Sequence, residues 1–314
     1  MNKPPAVISI DVDSLWVVTE SMGHFARLDE TAIYTTAVPE FLRLLDLFSA
    51  KATFFCVGRD LTIDSNREVV AEIARRGHEI ANHTMNHPTK WAKLSLRDKL
   101  KEITTAHEEL GKAGIDSVFG FRASAYYLDQ SLVSGLTQMG YVYDSSVFPN
   151  PWISFLMPLG RMLMARSIKD TPSYGRIESW QAPLHPYLLH KEQIYRPSSR
   201  GRLLELPISC IPGLRLPFHS SFVFGTGLWL FKWGLKAIQR RKLPLVYVFH
   251  AVDLLDGDAN GRLRNYVTTR IPFTRRLEMV RSMINCITKN FRVVTMRELA
   301  FEYKRMPGAN FDYE

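Results

Sequence analysis

A chain of 314 residues with 46% apolar and 23% charged side chains has the balance of a globular protein that can bury a large core. No apolar run reaches the roughly 18 residues of a membrane-spanning helix, and Cys56, Cys210 and Cys286 form no paired metal motif and cannot all be disulfide-bonded within one chain, which fits reduced thiols. The formal charge of +9 favours anionic partners, either phosphate-bearing substrates or acidic lipid surfaces; no nucleic-acid motif accompanies it, so no nucleic acid is expected.

Met1 to Pro5 leads straight into a short apolar run, Ala6 to Ile10, that reads as a strand. A signal peptide needs a longer apolar stretch and a small-residue cleavage site, so a cytoplasmic location is expected. Phe41 to Phe48 reads as a helix, Ala52 to Val57 as a strand closed by Gly58, and Arg67 to Arg76 as a helix stopped by Gly77. Glu79 to Asn82 is a short strand, and Leu96 to Lys112 a helix with Gly114 just past its end. Such alternation predicts βα units on a mostly parallel sheet. Residues 149–217 are irregular, with long loops and one apolar helix expected. Leu245 to Phe249 is another buried strand, Asp256 to Gly261 a turn-rich loop and Arg292 to Thr295 a last strand. Thr295 and Glu298 have capping-box spacing for a final helix. With no obvious linker, residues 1–314 read as a single domain.

Four places carry groups suited to catalysis. Asp11 and Asp13 directly follow the first strand, where parallel sheets present their functional loops; they could equally cap a turn. His83 and His87 follow the Glu79–Asn82 strand. In one helical turn a spacing of four puts both rings on one side, suited to a shared metal, although a buried pair without metal has the same spacing. Arg122, in Gly120-Phe121-Arg122-Ala123-Ser124, could hold a carboxylate by charge-assisted hydrogen bonds, or lie on the surface. His250 ends the Leu245–Phe249 strand, where a buried imidazole needs a partner.

Together these segments resemble the polysaccharide deacetylase (NodB-homology) family. The resemblance rests on Asp11-Val12-Asp13, on Gly77-His78-Glu79 running into His83-Thr84-Met85-Asn86-His87, on Gly120-Phe121-Arg122-Ala123 and on Val248-Phe249-His250. Tyr143-Asp144-Ser145-Ser146 and Glu205-Leu206-Pro207 are similar to further family segments. The resemblance implies an α/β fold, a distorted (β/α) barrel of about seven strands with an irregular insertion in the middle. It also implies one divalent metal, most often zinc, held by Asp13, His83 and His87. Asp11 would be the general base, Arg122 its orienting partner and His250 the general acid, with Asp144 and Trp180 expected at the substrate. Glu178 or Asp253 are the candidate partners of His250. Val12 separates the two aspartates where the family usually has them adjacent, a spacing similar to a branch that includes peptidoglycan deacetylases and lipid-linked aminoarabinose deformylases. Ser124 stands where the arginine motif commonly has proline.

The activity so implied is removal of an N-acyl group, acetyl first, from an amino sugar. Apolar aromatic stretches at residues 152–168 and 222–238, the second followed by Arg240, Arg241 and Lys242, suit either core helices or a membrane surface. With a cytoplasmic location they suggest a lipid-linked sugar or another glycan-assembly intermediate, met at the cytoplasmic face of an anionic membrane. Two other readings compete. Asp11-Val12-Asp13 also resembles the opening motif of haloacid-dehalogenase-type phosphatases, with Asp11 as nucleophile and magnesium as the ion, which leaves His83 and His87 without a role. A non-catalytic carbohydrate-binding protein on the same fold is the other.

Overall fold

The computed structural model describes residues 3–21, 29–152, 177–255 and 268–305. Eleven strands are present among them: β1 Pro5–Val12, β2 Thr53–Cys56, β3 Glu79–Asn82, β4 Gly120–Phe121, β5 Tyr143–Asp144, β6 Tyr187–Leu188, β7 Leu204–Glu205, β8 Cys210–Ile211, β9 Leu216–Pro217, β10 Leu245–His250 and β11 Arg292–Val293. Seven of them run parallel in the order β10-β1-β2-β3-β4-β5-β7, and β6 closes the row antiparallel to β7. The sheet curls into a half-barrel, as the expected distorted barrel of about seven strands requires. β11 joins it by pairing with Pro5 and Ala6 of β1. The irregular middle is present as the short strands β6 to β9; residues 153–176, with much of the first apolar stretch, and the loop at 256–261 lie outside the described residues.

β1 is apolar nearly throughout, as a strand buried on both faces must be. Its alternation divides the core. Ala6, Ile8, Ile10 and Val12 face the helices, packing with Phe41, Leu44 and Leu45 of the helix Val38–Leu47. Val7 faces the inside of the curl with Phe55, Ala81, Tyr143 and Val246. By the same alternation Ser9 and Asp11 point inward. This alternation lifts a carboxylate into the barrel mouth, above an interior in which Thr53 and Tyr143 are both hydrogen-bonded to Glu79.

The helices Leu96–Lys112 and Met296–Lys304 begin where the sequence signals them, whereas Val38–Leu47 and Asp64–Arg75 each start three residues before the expected Phe41 and Arg67. Ser95 caps Leu96–Lys112 by accepting the Asp98 N–H, and Gly114 follows with φ +80, a left-handed turn that a side chain would strain. Thr295 and Glu298 form both halves of the capping box of Met296–Lys304. The second apolar stretch is helical, as Ser220–Thr226 and Leu228–Arg240. The helices Leu15–Ser21, Gln130–Gln138 and Phe273–Asn290 answer to no segment singled out from the sequence. The last of these is long and strongly charged along its outer face.

Gly120, at the start of β4, is set by packing. A Cβ there would lie 1.9 Å from the ring of Tyr143, which is fully buried and donates its hydroxyl to Glu79 Oε1 at 2.9 Å. Gly120→Ala is expected to lower stability by about 1–3 kcal/mol through overpacking. A urea denaturation midpoint unchanged from the parent would count against this contact.

Candidate active site

Register brings the candidate groups to one level. Asp11 pairs with His250 across β1 and β10, and Val12, Cys56, Asn82, Phe121 and Asp144 follow one another across the next strands. His83 and Arg122 are therefore the first residues beyond two neighbouring strand tips. Arg122 is wholly buried, with its guanidinium 3.9 Å above the centre of the Phe55 ring. Nη1 donates to Asp11 Oδ1 and to Ser9 Oγ, Nη2 to Ser9 Oγ and Ser145 Oγ, and Nε to the Ser145 carbonyl. Burial alone would push the Asp11 carboxyl up; Arg122 first, then His83 and His250, hold it below its ordinary range. Asp11 is thus an ionised carboxylate, fixed in orientation.

Asp13, His83 and His87 converge so that one ligand atom from each lies within 4.8 Å of the others. His83 Nε2 is 3.5 Å and His87 Nε2 3.7 Å from Asp13 Oδ1. His83 Nδ1–H donates to the Arg122 carbonyl at 2.8 Å, which leaves the Nε2 lone pair turned toward the cluster. Burial lowers the pKa of both imidazoles, His87 to about 4, so both are neutral donors of electron pairs. Burial pushes the Asp13 carboxyl up, against the weaker pull of His83, His250 and Arg122. The Asp13 Oδ1 is buried without a hydrogen-bond donor. An orphaned carboxylate oxygen facing two imidazole lone pairs fits a divalent metal ion.

The histidine pair does not lie on a helical turn. Residues 83–87 form a bent loop in which Thr84 has φ 69 and His87 φ 40, left-handed values that cost a branched or bulky residue energy. The loop is pinned: Asn82 Oδ1 accepts the Thr84 N–H, Thr84 Oγ1 accepts the His87 N–H, and Glu102 accepts both the backbone and side-chain N–H of Asn86. Spacing of four brings the rings 4.9 Å apart by this fold-back and not by helical periodicity.

Sequence reasoning missed Tyr126. Its hydroxyl donates to Asp11 Oδ2 at 3.0 Å and lies 3.2 Å from His250 Nε2. The phenol pKa is raised by burial and by Asp11, so the group stays protonated. Its single proton goes to Asp11, and its oxygen can then only accept from His250; the Nε2 of His250 therefore carries a hydrogen. Ala125 and Tyr126 both have φ 55, two successive left-handed residues that throw the ring between Asp11 and His250. No motif in the sequence marks this, because the signal is a backbone conformation.

Other expected residues fall elsewhere. Asp144 corrects the expectation of a substrate contact: it is fully buried and its oxygens accept from Ser146 N and Oγ. It also pairs with Glu205, whose carboxyl is pushed up by burial and by Asp144. Ser146 Oγ in turn accepts the Ala123 N–H, so Asp144 braces the chain just after Arg122. Trp180 is 48% exposed, next to Ser179, which donates to the Phe148 carbonyl; the Phe148 ring packs on Tyr126. Asp253 accepts the backbone N–H of His250 and Glu178 is exposed; the Nε2 side of the His250 ring meets Tyr126. The phosphatase reading needs an all-oxygen ion site, whereas two imidazoles face Asp13.

Residues 27–143 match the sequence profile of the polysaccharide deacetylase family. The chain is therefore similar to the polysaccharide deacetylases over a little more than a third of its length. The matched segment includes His83, His87, Arg122 and Tyr126; Asp11, Asp13 and His250 lie outside it and reach the same site through the pairing of β1 with β2 and β10. A peptidoglycan-N-acetylglucosamine deacetylase of Bacillus cereus is 30% identical over 106 residues, 34% of this chain. That match spans about half of the relative, 48% of its length. A solved structure from Mycobacterium smegmatis, itself a proposed polysaccharide deacetylase, is similar over 100% of this chain and 96% of its own, with TM-score 0.63 and 21% identity. A similar protein of Pseudomonas aeruginosa, again a proposed polysaccharide deacetylase, gives TM-score 0.59 and 12% identity over 97% of this chain and 92% of its own. At such identities these two likenesses speak for the shared deacetylase fold.

Proposed function

We propose that the chain is a metal-dependent hydrolase that removes an N-acyl group, acetyl first, from an amino sugar, with residues 1–314 acting as one catalytic domain. One observation carries this reading. Asp11 and His250 flank the Asp13–His83–His87 cluster and are linked through the hydroxyl of Tyr126. Two imidazoles and one carboxylate suit zinc best among divalent ions. A bound ion would lower the pKa of water and polarise the acyl carbonyl. Asp11, held ionised and oriented by Arg122, takes the proton of the attacking water as its oxygen bonds to the carbonyl carbon. The carbon–nitrogen bond then breaks as His250, entering the step as the imidazolium, delivers its Nε2 proton to the leaving nitrogen, giving a carboxylic acid and a free amine; the proton held by Asp11 returns to the neutral imidazole to reset the pair. Tyr126 holds base and acid at a fixed separation. The similarity to a peptidoglycan-N-acetylglucosamine deacetylase supports an N-acetylated amino sugar. The basic character of the chain supports a substrate carried on a lipid phosphate, met at the cytoplasmic face of an anionic membrane.

The test is acetate release from an N-acetylhexosamine oligomer by the full chain, before and after dipicolinate treatment and again after zinc is restored. Activity that survives complete removal of metal would refute the reading. Tyr126→Phe is expected to keep the fold and the metal, and to lower kcat about ten-fold with KM little changed, because one hydrogen bond to a charged group is lost. A change in KM alone would assign Tyr126 to substrate binding instead.

A further inference from the structure

We propose that the outer face of the helix Leu228–Arg240, with the tip of the β8–β9 hairpin beside it, is a docking surface for an anionic lipid bilayer. The helix is strongly two-sided. Leu230, Phe231, Leu235 and Ile238 are buried, and Gly234 lets Phe218 approach to 2.6 Å of where a Cβ would stand. That face is therefore satisfied by the core. On the opposite face Trp229 is 69% and Trp233 48% exposed, four residues apart and so stacked on one side of the helix. Lys232, Lys236 and Arg240 share that exposed side, and Arg241 and Lys242 continue it past the end. The hairpin adds Leu214, 62% exposed, whose carbonyl accepts the indole N–H of Trp152, an exposed ring itself. Arg241 reaches to 3.8 Å of the Cβ position of Gly213, which places helix end and hairpin tip together.

Charge chooses the occupant. No Asp or Glu occurs between Glu205 and Asp253, so all the charge on this face has one sign. Protein–protein interfaces concentrate tryptophan but exclude lysine from their centres. Tryptophan interleaved with lysine and arginine is instead the composition of a helix lying in the headgroup layer, its rings at the acyl boundary and its ammonium groups among the phosphates. The long basic side chains can extend to the lipid phosphates while their stems stay on apolar surface. The face also lies where it is useful. The chain enters these helices from His219, whose ring packs on Phe148, the ring that also packs on Tyr126, and leaves them just before β10 begins. Trp229 thus belongs to the end of the helix nearer the active site. No helix among the described residues is long and apolar enough to cross a membrane, so contact would be peripheral.

This deepens the reading of a lipid-carried substrate and rests on it for its purpose, whereas binding is measurable without any substrate. The experiment is flotation of the full-length protein with phosphatidylcholine vesicles containing one quarter phosphatidylglycerol, at 0.1 M and 0.5 M salt. We expect the protein to float with the anionic vesicles at low salt, to remain behind with pure phosphatidylcholine, and to be released at high salt. Trp229→Ser with Trp233→Ser should reduce partitioning about ten-fold or more. Lys232→Ser with Lys236→Ser should reduce it about 25-fold, since each basic side chain at such a surface strengthens binding about five-fold. Neither pair should alter acetate release from a soluble N-acetylhexosamine oligomer. Failure to float at low salt overturns the proposal, as does flotation indifferent to both pairs. So does a Trp-dependent change of oligomeric state in place of flotation, which would mean that a second copy covers the face. Each of these leaves the hydrolase reading standing. A protein that floats but releases no acetate would instead sink the hydrolase and keep the docking surface.

Discussion

Asp11→Asn is expected to lower kcat for acetate release by about a thousand-fold while the protein keeps its metal and its fold. The amide keeps an oxygen that can accept from Arg122 Nη1, and its nitrogen can donate to the Tyr126 hydroxyl oxygen in place of the bond that Asp11 Oδ2 accepts. The geometry therefore survives, at a cost in stability because the buried Arg122 charge loses its counter-ion, and the capacity to take a proton is lost, which for a positioned general base is worth about a hundred- to ten-thousand-fold. The same variant separates the roles of the two aspartates. If Asp11 were a metal ligand and Asp13 the base, Asp11→Asn would lose metal, and zinc stoichiometry would fall together with activity. Full metal content with activity within ten-fold of the parent would end the assignment of Asp11 as base.

Arg122→Met is expected to cost about 3–5 kcal/mol of stability, the usual penalty for leaving one charge of a buried pair uncompensated. Arg122 is fully buried and its three nitrogens all donate, to Asp11, to Ser9 and to Ser145. Its loss strands the Asp11 carboxylate on the inner face of β1. The effect has a pH signature. In the parent, the folded pKa of Asp11 is depressed below its unfolded value. That contribution is present above the ordinary carboxylate range and disappears as pH falls through the folded pKa. In the variant burial dominates and the folded pKa rises, so stability is lost as pH climbs through it. The gap between parent and variant should be largest near neutrality and narrow on acidification. Urea unfolding across pH, with chelator present, reads it directly; a gap constant from pH 7 to pH 3 would show that Arg122 acts through packing alone.

Groups announced by spacing along strands were readable from the amino acids. Asp11, His250 and Arg122 each follow an apolar run and so read as strand-end groups, but their assembly into one site came only as what the family resemblance implied; parallel register carries them to one level. His83 and His87 were found for the right residue types but the wrong local shape, since the turn that joins them depends on Asn82, Thr84 and Glu102 holding left-handed backbone in place. Asp144 was misjudged because a carboxylate at a strand tip looks the same in sequence whether it faces the mouth or a buried neighbour, and Glu205 lies on a strand far along the chain. Tyr126 was invisible for a similar reason: two consecutive positive φ angles redirect a ring that ordinary geometry would have sent elsewhere. The amphipathic helix Phe273–Asn290 was overlooked because its buried Met and Ile positions are diluted by charged neighbours.

The adjacency of the first and tenth strands has a bearing on biosynthesis. Ser9 and Tyr247, bonded across that pair, are 238 residues apart in the chain. A ribosome adding about 5–20 residues per second leaves an interval on the order of tens of seconds between the two segments. Until the later one emerges, the earlier keeps an open edge, an invitation to mispairing that nascent-chain chaperones would have to shield. A nascent chain that has not yet reached residue 250 cannot set Asp11 beside His250, so the proposed pair of proton acceptor and donor forms only after that strand has emerged.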